Sequence, residues 1–226
     1  MKLYIANKNY SSWSLRPWVL MRELSIEFEE VMVFFEGADN HEQFKRFSPS
    51  GRVPCLVDGD TTVWDSLAII EYLAEQYPKV WPEAVGARSW ARCAAAEMHS
   101  GFTLVRNTCG MSCGVRVRLN EVPTALSAEW DRIDELWREG LAHFGGPFLA
   151  GEKFTAVDAF FAPVAFRIQT YSPALSKQAG EYANRILALA PMIDWYKSAL
   201  QETARDPDHE RETLSLGVIV EDLRAS

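Results

Sequence analysis

The sequence predicts a small α/β domain with the element order βαβαββα, followed by an all-α helical domain. Strand-like and helix-like apolar patterns alternate over residues 1–77, and helical periodicity dominates residues 86–226. Between them, Pro78 and Pro82 interrupt the chain. Because proline removes a backbone donor and cannot continue a helix, residues 78–85 are predicted to form the linker.

The elements of the first domain follow from the spacing of its apolar residues. They are predicted as a strand at 2–6, a helix at 14–24, a strand at 28–34, a short helix at 41–47, strands at 55–57 and 61–64, and a helix at 66–76. Gly59 follows Asp58 between two β-prone runs, which is a strong hairpin signal. Ser66 is predicted to be the N-cap of the last helix.

The second domain shows almost only helical patterns. Its helices are predicted at 91–98, 127–144, 155–169 and 180–200. Thr155 and Asp158 have the spacing of a capping box at the start of the most apolar helix. Residues 115–119 alternate like a strand but have no evident partner, so no strand pair is predicted here. The charged tail from Asp206 onward is predicted to be loosely held.

Composition excludes several classes of partner. The chain has 226 residues, 48% of them apolar, and a formal net charge of −8. An acidic chain is repelled by phosphate backbones and by anionic lipid surfaces, so neither nucleic acid nor a membrane is an expected partner. No basic segment followed by a long apolar run begins the chain, so no signal peptide is predicted and a cytoplasmic location is expected.

The four cysteines show no paired framework. They are Cys55, Cys93, Cys109 and Cys113. Cys109 and Cys113 could share one helix face and supply half of a metal site, but a closed zinc site needs about four ligands and no neighbouring histidine completes it. Free thiols and no metal are therefore expected.

Three motifs in the first 70 residues point to chemistry. Ser11, Ser12 and Ser14 crowd a strand-to-helix turn, where unpaired N–H groups and the helix dipole favour an anion or a thiolate. The pair Val53-Pro54 precedes a strand, and Asp65-Ser66 precedes a helix. Each motif alone has a structural interpretation as a helix cap or a loop.

In this order, and within this element pattern, the motifs resemble those of glutathione transferases of the thioredoxin-fold superfamily. The segment SSWSLRPWVL, residues 11–20, is similar to the serine signature of the zeta class and more loosely to that of serine-type theta members, including bacterial ones. The resemblance covers the whole chain in architecture but only the N-terminal third in specific motifs. It implies a thioredoxin-like glutathione-binding domain followed by a helical domain that carries the electrophile pocket.

The resemblance implies a role for each motif. Ser11 would hydrogen-bond the glutathione sulfur, with Ser12 and Ser14 as the alternatives that the turn leaves open. Each unit by which such a site lowers the thiol pKa is worth about 1.36 kcal/mol, and a hydroxyl donor plus the helix N-terminus could supply about one or two units. Val53-Pro54 would be a cis peptide, and the Val53 backbone would pair with the cysteinyl part of glutathione.

The two ends of the tripeptide are assigned in the same way. Asp65 and Ser66 would hold the γ-glutamyl end, where the helix N-terminus suits a carboxylate. Arg52, with His41 as a second candidate, would bind the glycyl carboxylate.

The chain also departs from the family pattern. Trp13 stands where the zeta signature has a cysteine, which makes the pocket bulkier and isomerisation of maleylacetoacetate doubtful. No cysteine occupies the turn, which argues against thiol–disulfide exchange. No tyrosine takes the usual activating position unless Tyr10 does. Arg106, Arg116 and Arg118 would favour an anionic second substrate if they face the cleft, and would be uninformative in a solvated loop.

The predicted function is therefore a cytoplasmic glutathione transferase, a homodimer by resemblance, of the kind used in detoxification. Its glutathione thiolate would attack a small, partly apolar electrophile held between the domains. Two alternatives stay open: a glutathione-dependent cis–trans isomerase resembling maleylacetoacetate isomerase, and a non-catalytic binding or interaction module with the same fold.

Overall fold

The computed structural model describes residues 1–35 and 40–225. Its first part contains β1 Lys2–Ile5, α1 Ser12–Glu23, β2 Glu29–Met32, α2 Asn40–Lys45, β3 Cys55–Asp58, β4 Thr61–Trp64 and α3 Ser66–Gln76. The predicted order βαβαββα is confirmed. In the sheet the strands lie in the order β2-β1-β3-β4, with β1 parallel to β2 and β3 antiparallel to both of its neighbours.

Alternate side chains of β1 contribute to the hydrophobic core of this part. Leu3 and Ile5 are fully buried, as strand periodicity requires for one face of a sheet. α1 packs against the buried helix α7 of the second part, and α3 also contacts α1. The N-terminal ends of α1 and α3 both follow turns at the end of a strand, which places polar turn residues beside the second part.

The second part follows a 3₁₀ turn at Pro78–Val80. It contains α4 Val85–Ser100, α5 Thr103–Thr108, β5 Val115–Leu119, α6 Thr124–Phe144, α7 Ala156–Tyr171, α8 Lys177–Leu187, α9 Ala190–Gln201, α10 Pro207–Leu216 and β6 Gly217–Asp222. α7 is its central helix and contacts α1, α4 and α8. The capping box at Thr155 and Asp158 is confirmed. The division of the chain at residues 78–85 stays a prediction.

Two predictions for this second part are wrong. Residues 115–119 form strand β5, and its antiparallel partner is β6, so the tail is not loosely held. The partner could not be found by local pattern because it follows the charged helix α10 at the far end of the chain. Its apolar residues Val218 and Val220 are exposed on the outer face of the pair.

Several helix boundaries also differ from the prediction, and two of the differences have a clear physical reason. The helix expected at residues 180–200 is two helices. Pro191 lies in the first turn of α9, and because proline lacks a backbone N–H and clashes with a preceding helical turn, α8 cannot continue through it. The N-cap of α3 is Asp65 and not Ser66: the Asp65 carboxylate accepts a hydrogen bond from the backbone N–H of Leu67 at 2.7 Å.

Over residues 1–35 and 40–225, no helix combines the length and apolar character needed to cross a bilayer. The same residues contain no cluster of three or more histidine, cysteine or acidic side chains that could hold a metal ion. Cys55, Cys109 and Cys113 are buried, and Cys93 is exposed. Burial raises the pKa of the Cys109 thiol to about 11, so this thiol stays protonated at neutral pH.

Candidate functional site

Two cavities adjoin where the turns before α1 and α3 meet the second part of the chain. The first, about 540 Å³, is named here the serine cavity because Ser11 and Ser12 line it. The second, about 400 Å³, is named the α3 cavity because Asp65 and Ser66 line it. The cavities share three wall residues, which are Trp13, Arg52 and Val53.

The serine turn presents hydroxyls to the serine cavity. Ser11 is 5% exposed, and its hydroxyl donates a hydrogen bond to Ser14 Oγ at 2.7 Å. Ser14 Oγ also accepts the backbone N–H of Ala6 at 3.4 Å. The Ser11 side chain makes no capping bond to α1, so the interpretation of this cluster as a simple helix cap is not supported. Ser12 is the first residue of α1 and is half-buried in the same wall.

The second motif lies in the wall that the two cavities share. The Val53–Pro54 bond is cis, as predicted. Val53 faces both cavities, Pro54 faces the α3 cavity, and the exposed side chain of Arg52 faces both. His41 is exposed and lines neither cavity. Its ring lies against Gly51, where φ is +64° and an added Cβ would collide with the imidazole.

The third motif forms the floor of the α3 cavity. The backbone of Asp65 has φ +76°, a region that residues other than glycine rarely occupy. Such backbone strain is concentrated at functional positions. The Asp65 carboxylate also lies 3.7 Å from Nε2 of His99. Ser66 is 1% exposed, and its Oγ is buried without a hydrogen-bond partner among the described residues. A buried hydroxyl without a partner is costly and is suited to a polar ligand.

Two arginines lie against the ring of Trp13, and a third lies close enough to them to repel Arg16. The guanidinium carbon of Arg16 lies 4.1 Å from a Trp13 ring centroid, and that of Arg106 lies 5.4 Å from it. Arg167 is 3% exposed and lines the serine cavity together with Arg106. Over the described ranges of the chain, none of the three forms an ion pair with a carboxylate.

This cluster carries positive charge that is only partly offset, by the attraction of the Asp65 carboxylate for Arg16. Burial, and then repulsion from Arg167 and Arg106, lowers the pKa of Arg16. Burial lowers the pKa of Arg167 to about 10, which still leaves it charged at neutral pH. Nη1 of Arg167 and Nε of Arg106 are buried without a hydrogen-bond partner among described residues. Both residues line the serine cavity, where their charge favours an anion.

Of the three arginines singled out by sequence, only Arg106 lines the serine cavity. Arg116 lies on β5, where it donates to the Cys113 carbonyl and the Tyr196 hydroxyl, both at 3.2 Å. Arg118 is exposed on the same strand. Arg167 is not identifiable from the sequence as a site residue, because a single charge in the apolar run of α7 belongs to no motif.

The C-terminal helix α10 closes one side of the serine cavity, which the sequence did not predict. His209 lines that cavity, and its ring stacks on those of Tyr10 and Phe35 with centroids 5.0 and 5.2 Å apart. The Tyr10 hydroxyl donates to Oε1 of Glu210 at 2.6 Å. Burial, together with this bond, raises the pKa of Tyr10 far above its ordinary value, so Tyr10 is not suited to replace the serines as the activating group.

Comparison with protein families and curated proteins gives consistent results. Residues 10–76 match the family described as glutathione S-transferase, N-terminal domain, and residues 123–212 match the corresponding C-terminal domain. The chain is 35% identical over 171 residues to glutathione S-transferase Z2 of Arabidopsis thaliana, covering 72% of this chain and 74% of that protein. It is 25% identical over 190 residues to a probable maleylacetoacetate isomerase of Vibrio cholerae, covering 77% and 84%.

Solved structures show the same fold. A holo structure of maleyl pyruvate isomerase, described as a bacterial zeta-class glutathione S-transferase, matches with a TM-score of 0.68 and 21% identity, over 90% of this chain and 100% of that one. A glutathione transferase homologue from Burkholderia, with bound glutathione, matches with a TM-score of 0.66 and 20% identity, over 88% and 97%. The predicted fold class is thereby confirmed.

Proposed function

Because this chain belongs to the glutathione S-transferase family, we propose that its two adjoining cavities hold glutathione and an electrophilic acceptor. The protein is a glutathione transferase with glutathione as its cosubstrate. One observation supports the placement of glutathione: Ser11, Val53-Pro54 and Asp65-Ser66 all line these two cavities.

The proposed position of glutathione spans both cavities. Its γ-glutamyl carboxylate accepts from the unpaired Ser66 hydroxyl and from the N-terminus of α3, and its ammonium group lies beside the Asp65 carboxylate. The Val53 backbone pairs with the cysteinyl residue, which directs the thiol to the serine cavity. Arg52 binds the glycyl carboxylate. His41 stays a weaker candidate because it lines neither cavity.

Ser11 is proposed to stabilise the thiolate, with Ser14 positioning it. The bond between the two hydroxyls can reverse, since each hydroxyl is both a donor and an acceptor. When a thiolate is bound, Ser14 donates to Ser11 and Ser11 donates to sulfur, while Ser14 Oγ keeps the N–H of Ala6. Ser12, in the same cavity wall, is the alternative donor.

Replacing Ser11 with alanine is expected to raise the pKa of bound glutathione by about one to two units, because the thiolate loses a hydroxyl donor. Thiolate absorbance in the ultraviolet, titrated on the complex, measures this shift. At about pH 6.5 the same variant should turn over a chromogenic chlorodinitrobenzene about ten- to a hundredfold more slowly.

Ser12→Ala is the matched control for this prediction. If Ser12→Ala alone lowers turnover, the activating hydroxyl is Ser12. If both variants bind immobilised glutathione and react at the wild-type rate, neither serine activates the thiol. A protein that is not retained on glutathione at all would instead support the interaction-module alternative.

The acceptor is proposed to be a small electrophile that carries a carboxylate. Arg106 and Arg167 supply unpaired positive charge in the serine cavity, and Trp13 supplies an apolar face. These features fit a partly apolar anion. The second candidate is a cis–trans isomerisation, in which glutathione adds to a carbon–carbon double bond and leaves again. It is considered because the relative of this chain from Vibrio cholerae is named a probable maleylacetoacetate isomerase.

We further propose, chiefly from the family resemblance, that the protein works as a cytoplasmic homodimer. Trp64 and Val85 are large apolar side chains that are 45% and 69% exposed, and a second subunit could cover them. Sedimentation analysis at micromolar concentration is expected to show a single dimeric species. A monomer at that concentration would contradict the proposal.

A further inference from the structure

Asp206 and His209 form a hydrogen-bonded pair at the start of α10. Asp206 is 2% exposed, and its Oδ2 accepts the backbone N–H of His209 at 3.1 Å. The same oxygen lies 2.5 Å from Nδ1 of the His209 ring. An ionised carboxylate can only accept, so Nδ1 is the nitrogen that carries the proton, and Nε2 is left as the acceptor.

The ring of His209 is held in place and faces the serine cavity. Its stacking on Tyr10 and Phe35 fixes the plane of the imidazole, and the side chain is 37% exposed. Nε2 makes no hydrogen bond to any residue that the structure describes. An oriented imidazole with one free acceptor nitrogen in a substrate cavity has the geometry of a general base.

We propose that His209 is a catalytic residue that takes the thiol proton of glutathione, and that Asp206 is the residue that positions it. The inference rests on the proposed function, because it needs the thiol in the serine cavity. The sulfur–hydrogen bond breaks, its electron pair stays on sulfur, and the proton forms an N–H bond at Nε2. The Asp206 carboxylate balances the resulting imidazolium, which later releases the proton to water at its exposed edge.

Other titratable groups around the ring are less suited to this step. Tyr10 and Glu212 line the same cavity as His209, and Glu210 lies next to Tyr10 together with Arg205 and Arg224. The cavity is also lined by Arg52, Arg106 and Arg167, whose guanidinium groups have no acceptor for a proton. Although burial opposes it, hydrogen bonds from Arg224 and Tyr10 lower the pKa of Glu210, so this carboxylate stays ionised and engaged. The hydroxyl proton of Tyr10 is held by Glu210. Glu212 lines the cavity but is exposed, so nothing fixes its direction.

His209→Phe separates proton transfer from packing. Phenylalanine keeps a flat ring between Tyr10 and Phe35 but has no nitrogen. With glutathione and a chlorodinitrobenzene, kcat/KM should fall about tenfold or more near pH 7.5, where a free thiol is still mostly protonated and an ordinary imidazole is mostly neutral. Near pH 9, where the thiol ionises without help, the variant should come within about twofold of the wild type.

Two further variants complete the experiment. Asp206→Asn keeps the cap of α10 and removes the charge, so it should show a smaller loss with the same dependence on pH. His143→Phe changes an exposed histidine on α6, outside both cavities, and should react like the wild type at every pH.

The possible outcomes are distinct. If kcat/KM of His209→Phe falls by the same factor at both pH values, the ring has a packing role and the proposal is overturned. The proposal is also overturned if His209→Phe is as active as the wild type at the lower pH. Both of these results require an active wild-type enzyme, so they would contradict the role of His209 and leave the proposed function intact. If the wild type itself neither binds glutathione nor reacts, the proposed function fails and this inference fails with it.

Discussion

Replacing Asp158 with alanine is expected to lower the free energy of unfolding by about 3–5 kcal/mol. Asp158 is fully buried and accepts three short hydrogen bonds: from the N–H of Leu149 at 3.0 Å, the N–H of Thr155 at 2.9 Å and the hydroxyl of Tyr182 at 2.8 Å. A fourth and longer bond, from the Thr155 hydroxyl, measures 3.4 Å. Alanine leaves all three donors buried and without a partner, and each such donor costs about 1–3 kcal/mol.

This expected loss exceeds that of an ordinary helix cap, which is about 0.5–2 kcal/mol. The difference arises because Asp158 joins three segments: the loop at Leu149, the start of α7 and, through Tyr182, helix α8. Burial raises the pKa of Asp158 to about 6, so at neutral pH the side chain is largely the carboxylate that accepts these bonds.

Urea denaturation of wild type, Asp158→Ala and Thr155→Ala measures this prediction. Thr155→Ala is the matched control because it removes a capping side chain of the same box and leaves the Asp158 carboxylate in place. Its loss should stay near about 1 kcal/mol. Equal losses in the two variants would show that the bonds to Leu149 and Tyr182 add nothing, which contradicts the argument.

The first part of the fold was predictable because its signals are local. Asp58-Gly59 marks a hairpin, and the alternation along β1 marks a half-buried strand, so each element can be identified from its own residues. The cis bond at Val53–Pro54 came from the family resemblance and is present. The roles of Ser11 and Ser66 remain predictions, although both residues lie in cavity walls.

The missed features depend on contacts between distant parts of the chain. β5 has its partner only in β6, and no property of residues 115–119 reveals a strand that follows a charged helix. Charged residues of the tail form ion pairs with one another in the folded protein: Arg224 contacts Glu210 and Asp222. From local composition alone, such residues predict a solvated tail. In the structure, their ion pairs hold α10 beside the serine cavity.

Arg167 shows the same limitation within a helix. Its charge falls in the apolar run of α7, where sequence analysis expected only core, and its surroundings come from other elements. Nε donates to the carbonyl of Cys109 at 2.8 Å, while Nη1 is buried without a partner among the described residues. A buried cation that lacks a carboxylate partner usually destabilises a protein, so its presence in a cavity wall is best explained by a ligand.

Arg167→Met is expected to change substrate preference more than any other single substitution. Breaking a buried, hydrogen-bonded charge pair costs about 2–5 kcal/mol, so kcat/KM for a chloronitrobenzoate should fall about 30-fold or more. For a chlorodinitrobenzene, in which a nitro group replaces the carboxylate, the change should stay within about threefold. Initial rates with both acceptors at saturating glutathione measure the difference.

The free energy of unfolding of Arg167→Met provides a second, independent test. Methionine fills similar space and removes an unpaired buried charge, so the free energy of unfolding should be unchanged or higher, despite the lost bond to Cys109. Arg167→Lys, which keeps a positive charge, should retain most of the preference for the carboxylate acceptor. Equal losses with both acceptors in Arg167→Met would instead indicate a damaged cavity, and the serine cavity would then have no demonstrated preference for anions.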